Sequence, residues 1–355
     1  MQEAKTEQIL EQLRNVERTE EINRFLQTFL NGILCFVIVL LFLLTRPISA
    51  AQGPLTTNNT HPVNRLFLNP VFETAEVINY GTSLGSIGID YGSVNINKQS
   101  DKWDILMDME FAILTLSFKM GLSWQTEGTV SLPLVYYFDG FMDPFLKWYH
   151  NTLGVSNYGR EKRPNNDFGY RVRKNGKDWF RPTNGGCGGV GDGTISLKKC
   201  LVIYGDTRLS MKGMLKAPTG DSGRGLGSGG FDAGIMLLFR QGFDAWILHL
   251  GVGHEWLGSP DTQGGFDPGI RDTTDGSFAL EYIWSDKLSL LAQIEGKTSP
   301  FSDTGIESLD KGFIGLTFGG KYRLRDDTGI ELAFSEDLSE AASDFTIHIG
   351  MVFDF

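Results

Sequence analysis

The chain has 355 residues, 44 of them Gly, with 32 Lys+Arg against 43 Asp+Glu for a formal charge of −11. An acidic balance argues against nucleic acid as a partner, and a Gly share well above the usual ~7% with only 21% charged residues excludes both a coiled coil and a charge-rich disordered chain. Mean hydropathy of −0.13 excludes a bundle of membrane helices, which leaves a soluble β-rich domain or a barrel whose walls alternate apolar and polar.

The longest apolar run, Gly32 to Leu44, has thirteen residues and is followed by the small-residue stretch Ile48-Ser49-Ala50-Ala51. A spanning helix needs ~20 such residues, so the run reads as the core of a secretory signal, with Ser49 and Ala51 before the cut and Gln52 after it. The segment Met1 to Asn31 resists this reading, because it is long and holds six Glu against Lys5, Arg14, Arg18 and Arg24. Either the true start lies downstream, or this segment is a cytoplasmic tail on an uncleaved anchor. Removal of residues 1–51 leaves 27 basic against 37 acidic residues, and Cys187 and Cys200 as the exported cysteines. In an oxidising compartment that pair is able to form a disulfide, although one sits in a strand pattern and the other in a Gly-rich loop.

Residues 52–82 lack sustained alternation and read as a plug in a lumen or a segment below it. From 83 to 355 period-two alternation recurs, with strands expected at 84–97, 102–119, 124–137, 192–204, 207–217, 230–240, 244–257, 276–285, 287–297, 311–324, 329–337 and 344–355. Short links (Gly205-Asp206, Gln241 to Phe243, Ser285 to Lys287, Arg325 to Thr328) alternate with long polar ones (Pro218 to Gly230, Gly258 to Asp275, Thr298 to Asp310, Ser335 to Ser343). Tight turns at one end, extended loops at the other and aromatic residues such as Trp246, Trp256, Tyr282 and Trp284 at strand ends are the signature of an all-β transmembrane antiparallel barrel of about twelve strands. Within the long connection Phe138 to Gly191, Asp143 to Leu153 reads as a short amphipathic helix with Phe145, Leu146, Trp148 and Tyr149 on its apolar side. Phe168 to Phe180 reads as a strand pair outside the membrane. The connection as a whole reads as a lid over the outer mouth.

If the apolar stripe faces lipid, the lumen is lined by Asp104, Asp108, Glu110, Arg208, Lys212, Lys216, Glu281, Glu295, Lys297, Lys321, Arg323 and Glu331. Both signs are present, so this set either pairs across the lumen and fills it or lines a water-filled path. Arg208, Lys212 and Lys216 favour anionic solutes, and Asp104, Asp108 and Glu110 oppose that preference. No catalytic, cofactor or metal site is expected. His249 and His254 have opposite parity and cannot share a face, no GxSxG elbow occurs, and the Gly-rich pieces lack the order of a phosphate loop. The outer-loop acids Asp261, Asp267, Asp272 and Asp275 offer contact to lipopolysaccharide through divalent cations.

The chain end HIGMVFDF, with Phe353 and Phe355, resembles the terminal signal read by the barrel insertion machinery of Gram-negative outer membranes. The ordered set MDMEFAILTLSFKMG (107–121), FDGFMDPFLKWYH (138–150), GGVGDGTISLK (188–198), KAPTGD with GLGSGGFD (216–232) and SEDLSEAASDFTIHIG (335–350) resembles the outer-membrane family called domain of unknown function 3187, over roughly residues 55–355. That resemblance implies a barrel and supplies no catalytic residues. The leading functional expectation is porin-like or transporter-like passage of small solutes. The alternatives are a non-transporting barrel that docks a partner or lipopolysaccharide through the 138–191 loop and, further off, a lipid-modifying enzyme. A plugged lumen would remove the passage reading.

Overall fold

The computed structural model describes residues 52–153, 160–181, 185–339 and 341–355, so the expected leader and N-terminal extension, residues 1–51, lie outside it. The strands are β1 (Ser83–Gln99), β2 (Trp103–Leu122), β3 (Thr126–Phe138), β4 (Gly169–Lys174), β5 (Lys177–Asp178), β6 (Cys187–Val190), β7 (Gly193–Tyr204) and β8 (Thr207–Ala217). They continue with β9 (Asp232–Phe243), β10 (Trp246–Trp256), β11 (Thr273–Ile283), β12 (Leu288–Lys297), β13 (Phe313–Arg325), β14 (Thr328–Asp337) and β15 (Phe345–Asp354). Twelve of them, β1 to β3 and β7 to β15, form a closed antiparallel barrel, sealed where β1 meets β15 from Leu84 opposite Asp354 to Ser93 opposite Phe345. Closure follows from the solvent: lipid offers no hydrogen bonds, so each backbone N–H and C=O needs a partner in the sheet and no edge is left bare.

Alternation sets the faces. Side chains such as Phe118, Val130, Leu197, Leu237, Phe318 and Ile349 project outward and are exposed in the isolated chain, as lipid-facing residues are. The alternate positions turn inward and are mostly buried. Gly85 sits where the Phe353 and Phe355 rings lie against the seam; a Cβ there would come within 2.6 Å of the Phe353 ring, so glycine gives the terminal aromatics their seat.

β1 and β2 run to 17 and 20 residues, whereas ~9–11 suffice to cross a bilayer. Their upper halves therefore rise beyond it, and there the meaning of alternation changes. Trp103, Ile105, Met107, Met109 and Phe111 of β2 turn inward and, with Val94, Ile96, Tyr137, Tyr170, Trp179, Phe180 and Phe301, form an apolar core over the lumen. The expectation that Asp104, Asp108 and Glu110 line the lumen is thus corrected. All three lie on the outer face of the projecting hairpin, where water and a surface loop, not lipid, are the surroundings. The core extends the sheet sideways: the β4–β5 hairpin pairs with Trp103–Asp108 of β2, and β6 pairs with Leu134–Tyr137 of β3.

The connection after β3 divides in two. Residues 168–181 cover the upper lumen, held by Gln263 N donating to Trp179 O (2.8 Å) and Arg181 N donating to Gly223 O (2.9 Å). Residues 139–153, including helix α1 (Asp143–Leu153), and 160–167 form a clasp that packs on the outside of the β1–β2–β15 wall instead of over the mouth. Glu110 accepts the backbone N–H groups of Phe141 (2.8 Å) and Met142 and the hydroxyl of Tyr91. Asp108 is bonded by Arg163 and by Asn95 Nδ2 (2.9 Å), and Asp104 by Arg171 (3.1 Å). Arg160, buried, bridges Asp143 of the helix, Asp344 before β15 and the Ser93 hydroxyl of β1. Burial works against its charge, but Asp344 and Asp143 outweigh burial and raise its pKa above the ordinary arginine value. Of the expected apolar side of α1, Leu146 is buried, whereas Phe145 and Trp148 are 49% and 62% exposed. Cys187 and Cys200 are both buried thiols; Cys187 Sγ points at Arg224 O (3.8 Å) and Cys200 Sγ at Val202 O (3.5 Å).

Candidate functional site in the barrel lumen

Residues 52–81 run through the barrel and fill it. The segment enters at the end with the short turns, rises to a 3-10 turn at Asn64–Leu66, and descends to the start of β1. It makes no strand of its own, so its polar backbone must be satisfied by the wall, and the inward side chains do this one by one. On the ascent Glu281 Oε1 accepts from Gln52 N (2.7 Å), and Lys321 donates to the carbonyls of Gln52 (3.3 Å) and Pro54. Gln293 exchanges both hydrogen bonds with the Leu55 backbone (3.1 and 3.3 Å), and Glu331 accepts from Thr56 N (2.6 Å). The Thr56 hydroxyl meets His348 Nε2 (3.2 Å), whose Nδ1 faces Asp90 (2.7 Å). Near the top the Thr60 hydroxyl bonds Ser343 and Thr346.

The descent uses different chemistry. Lys216, buried, donates to Leu66 O (2.9 Å) while paired with Asp192 (2.6 Å) and Asp232 (3.2 Å). Asp232 accepts from Leu68 N (2.7 Å), and Lys297, paired with Glu255 (3.4 Å), donates to Leu68 O (2.6 Å). Phe72, fully buried, packs among Met214, Met236, Leu238 and Ala279. Its ring lies against Gly251, where a Cβ would come within 2.9 Å, and Leu68 lies equally close to Gly234. Two inward glycines thus leave room for plug side chains.

Below Phe72 the Glu73 carboxylate is caged by three lysines: Lys119 (2.7 Å) and Lys198 (3.0 Å) on Oε2, and Lys212 (2.7 Å) on Oε1. Glu127 of β3 also accepts Lys119 (3.0 Å) and Lys198 (2.9 Å), so two carboxylates answer three ammonium groups. Lys198 donates further to Thr74 O (2.9 Å), Arg240 faces Glu76 (3.4 Å), and Glu127 accepts Ile78 N (2.9 Å).

Of the twelve residues singled out from the sequence, Arg208, Lys212, Lys216, Glu281, Glu295, Lys297, Lys321, Arg323 and Glu331 stand on inward positions. Arg208 and Arg323 are half-exposed near the short-turn rim, and the Arg208 guanidinium bonds its own turn at Thr207 O (2.9 Å). Sequence reasoning missed Glu73, Lys119, Lys198, Glu127, Gln293, Asp90 and His348. Lys119 and Lys198 were findable by parity, since each alternates with lipid-facing neighbours, Phe118 and Met120 around the first and Leu197 before the second. Basic groups predominate on β2 and β7 to β9 (Lys119, Lys198, Lys212, Lys216 and Arg240) and acidic ones on β1, β10 to β12 and β14 (Asp90, Glu255, Asp275, Glu281, Glu295 and Glu331), with Glu127 and Asp232 as exceptions in the first arc and Lys297, Lys321 and Arg323 in the second. His249, buried, points its Nε2 at Glu281 (3.1 Å), and His254, on the other face, bonds the Thr274 hydroxyl (3.0 Å) beside Trp256.

The family described as "Protein of unknown function (DUF3187)" matches residues 33–355, and the chain belongs to that family. No curated protein matches the chain. Among solved structures, an outer membrane channel, COG4313, from Pseudomonas putida F1 aligns with a TM-score of 0.57 at 13% identity, covering 79% of this chain and 98% of that one. The NanC porin aligns with a TM-score of 0.46 at 8% identity, covering 76% of this chain and 98% of that one. At this identity the similarity to the first establishes a shared barrel fold.

Proposed function

We propose that the chain is a plugged channel of a Gram-negative outer membrane, which passes small solutes when the 52–81 segment leaves the lumen. The filled interior removes a permanently open pore; passage requires movement of the plug. The observation that carries this reading is the kind of bonding that holds the segment. Leu55, Val63, Leu66, Phe67, Leu68, Phe72 and Ala75 are buried in apolar contacts, but the polar backbone of the segment is fixed by charged, amide and hydroxyl side chains of the wall, groups that water can satisfy once the segment departs. An apolar lumen would collapse or stay dry, whereas this one hydrates. With Asp104, Asp108 and Glu110 outside the lumen and the plug withdrawn, Lys119, Lys198 and Lys212 face a path on which Glu127 is the carboxylate beside them, so small anionic solutes are the favoured class along that wall.

A fold shared with an outer membrane channel and the terminal Phe353 and Phe355 support the same membrane, with the insertion machinery reading that end. The experiment is planar-bilayer recording of the full chain beside a variant lacking residues 53–78. The full chain is expected to stay closed with rare openings, and the deletion to conduct steadily with anions more permeant than cations. Equal conductance from both, or none from a correctly folded deletion, would overturn the proposal. The exposed Phe141, Phe145 and Trp148 of the clasp favour a second reading, a docking barrel, which a stable partner lost on trimming residues 139–167 would support.

A further inference from the structure

Gln52 lies at the short-turn end of the lumen, and its surroundings are more elaborate than a mid-chain peptide requires. Glu281 Oε1 is 2.7 Å from Gln52 N, and Glu281 Oε2 is 3.1 Å from Gly53 N. The carboxylate is fully buried, and among the described residues its ion partner is His249, with no Lys or Arg in ion-pair contact. The Gln52 side chain is held apart from its own nitrogen: Nε2 donates to Lys287 O (3.2 Å) and Lys321 O (3.1 Å). A buried ionised carboxylate costs several kcal/mol unless hydrogen bonds or a countercharge meet it; two peptide N–H groups and His249 meet both oxygens here, but none of them is a permanent cation. An α-ammonium group at Gln52 would supply the missing charge in the place the geometry already prepares.

The sequence before this point carries an independent mark. Ser49 and Ala51 put small residues three and one positions before Gln52, after the apolar run Gly32 to Leu44, which is the pattern read by a leader peptidase. Two unrelated observations, the buried carboxylate and the small-residue pair, therefore meet at one peptide bond. We propose that hydrolysis of the Ala51–Gln52 bond creates the ligand of a built site, in which Glu281 with His249 captures the new α-ammonium and moors the plug. Water adds across the amide, Ala51 departs with the carboxylate, and Gln52 keeps the nitrogen, protonated, as the terminus. A chain that still carries residue 51 presents a neutral peptide nitrogen to Glu281, so leader removal adds a full charge to a contact already in place. The same clamp opposes the usual fate of a terminal glutamine, cyclisation by attack of its amine on its own side-chain amide with loss of ammonia, since the two groups are bound to different partners.

The test uses the full chain, exported and purified from membranes in detergent. Intact mass and the mass of the N-terminal peptide are expected to place the terminus at Gln52, uncyclised. Acetic anhydride at neutral pH should modify that amine at least about tenfold more slowly in the folded barrel than after heat denaturation, a factor equivalent to ~1.4 kcal/mol of binding. In Glu281→Gln the protection should disappear and cyclisation should proceed. A terminus at any other residue, a pyroglutamyl terminus in the folded wild-type barrel, or equal labelling of folded and denatured protein would each overturn the proposal. So would undiminished protection in Glu281→Gln. Should that variant fail to assemble, the folded-to-denatured ratio of the unaltered protein decides alone.

Discussion

Glu73→Gln keeps the size and shape of the side chain at the centre of the lysine cage and removes its charge. Lys119, Lys198 and Lys212 then face Glu127 as their remaining carboxylate, and Lys212 has no ion-pair partner among the contacts described. Removing one partner from a buried ion pair costs about 3–5 kcal/mol. Lys119 is 25% exposed and Glu127 still answers two of the three lysines, so the lower end, ~3 kcal/mol, applies here. That cost falls on the closed state, since with the plug out the lysines are hydrated in either protein. At ~1.36 kcal/mol per tenfold, the closed-to-open ratio drops by a factor of roughly 150, enough to bring a closed state of about 99:1 close to parity. Single-channel recording reads this, from a 99:1 start, as a rise in open probability from about 1% to about 60%, with closed dwell times shortened more than open ones are lengthened. Heat-modifiable migration on a denaturing gel establishes that the variant is folded. If folded Glu73→Gln gates as the wild type does, the cage does not hold the plug and the energetic argument fails.

Phe72→Ala removes the fully buried plug ring and leaves a cavity among Met214, Met236 and Leu238, which costs about 3–5 kcal/mol of seating. Frequent openings in the same recordings are expected, with barrel melting unchanged because the strands are untouched. Gly251→Val reaches that result from the wall, placing a Cβ within 2.9 Å of the Phe72 ring, and its effect should vanish in a Phe72→Ala background. Arg160→Met leaves Asp143 and Asp344 without their shared cation, so the helix Asp143–Leu153 should become cleavable by added protease while the barrel stays resistant.

The strands were legible because each spans two solvents, and a period of two records which neighbour meets which. All twelve were anticipated to within a few residues, as was α1 over Asp143–Leu153. The same rule misled at Asp104, Asp108 and Glu110: alternation reveals that two faces differ, not which one is inward, and above the bilayer the apolar face of β2 belongs inside. The plug was visible only as an absence of pattern. Its contacts depend on distant residues brought together by register, such as Glu281, which sits diagonally across from His249 because His249 pairs with Ala279. No spacing in the chain encodes that meeting, and the lysine cage is equally invisible until β2, β7 and β8 stand side by side around Glu73.

The clasp gives the barrel a front and a back. With residues 139–153 and 160–167 laid along the outside of β1, β2 and β15 above the bilayer, that arc is already occupied, and its tall hairpin stands like a mast on one side of the rim. Within the bilayer the wall is bare all round, Phe118 and Ile349 included, but above it the opposite arc, from β8 to β13, has short strands and no clasp against which a neighbour would collide. A lattice or pair of such barrels would therefore be oriented, each molecule turning its raised side away from the shared boundary.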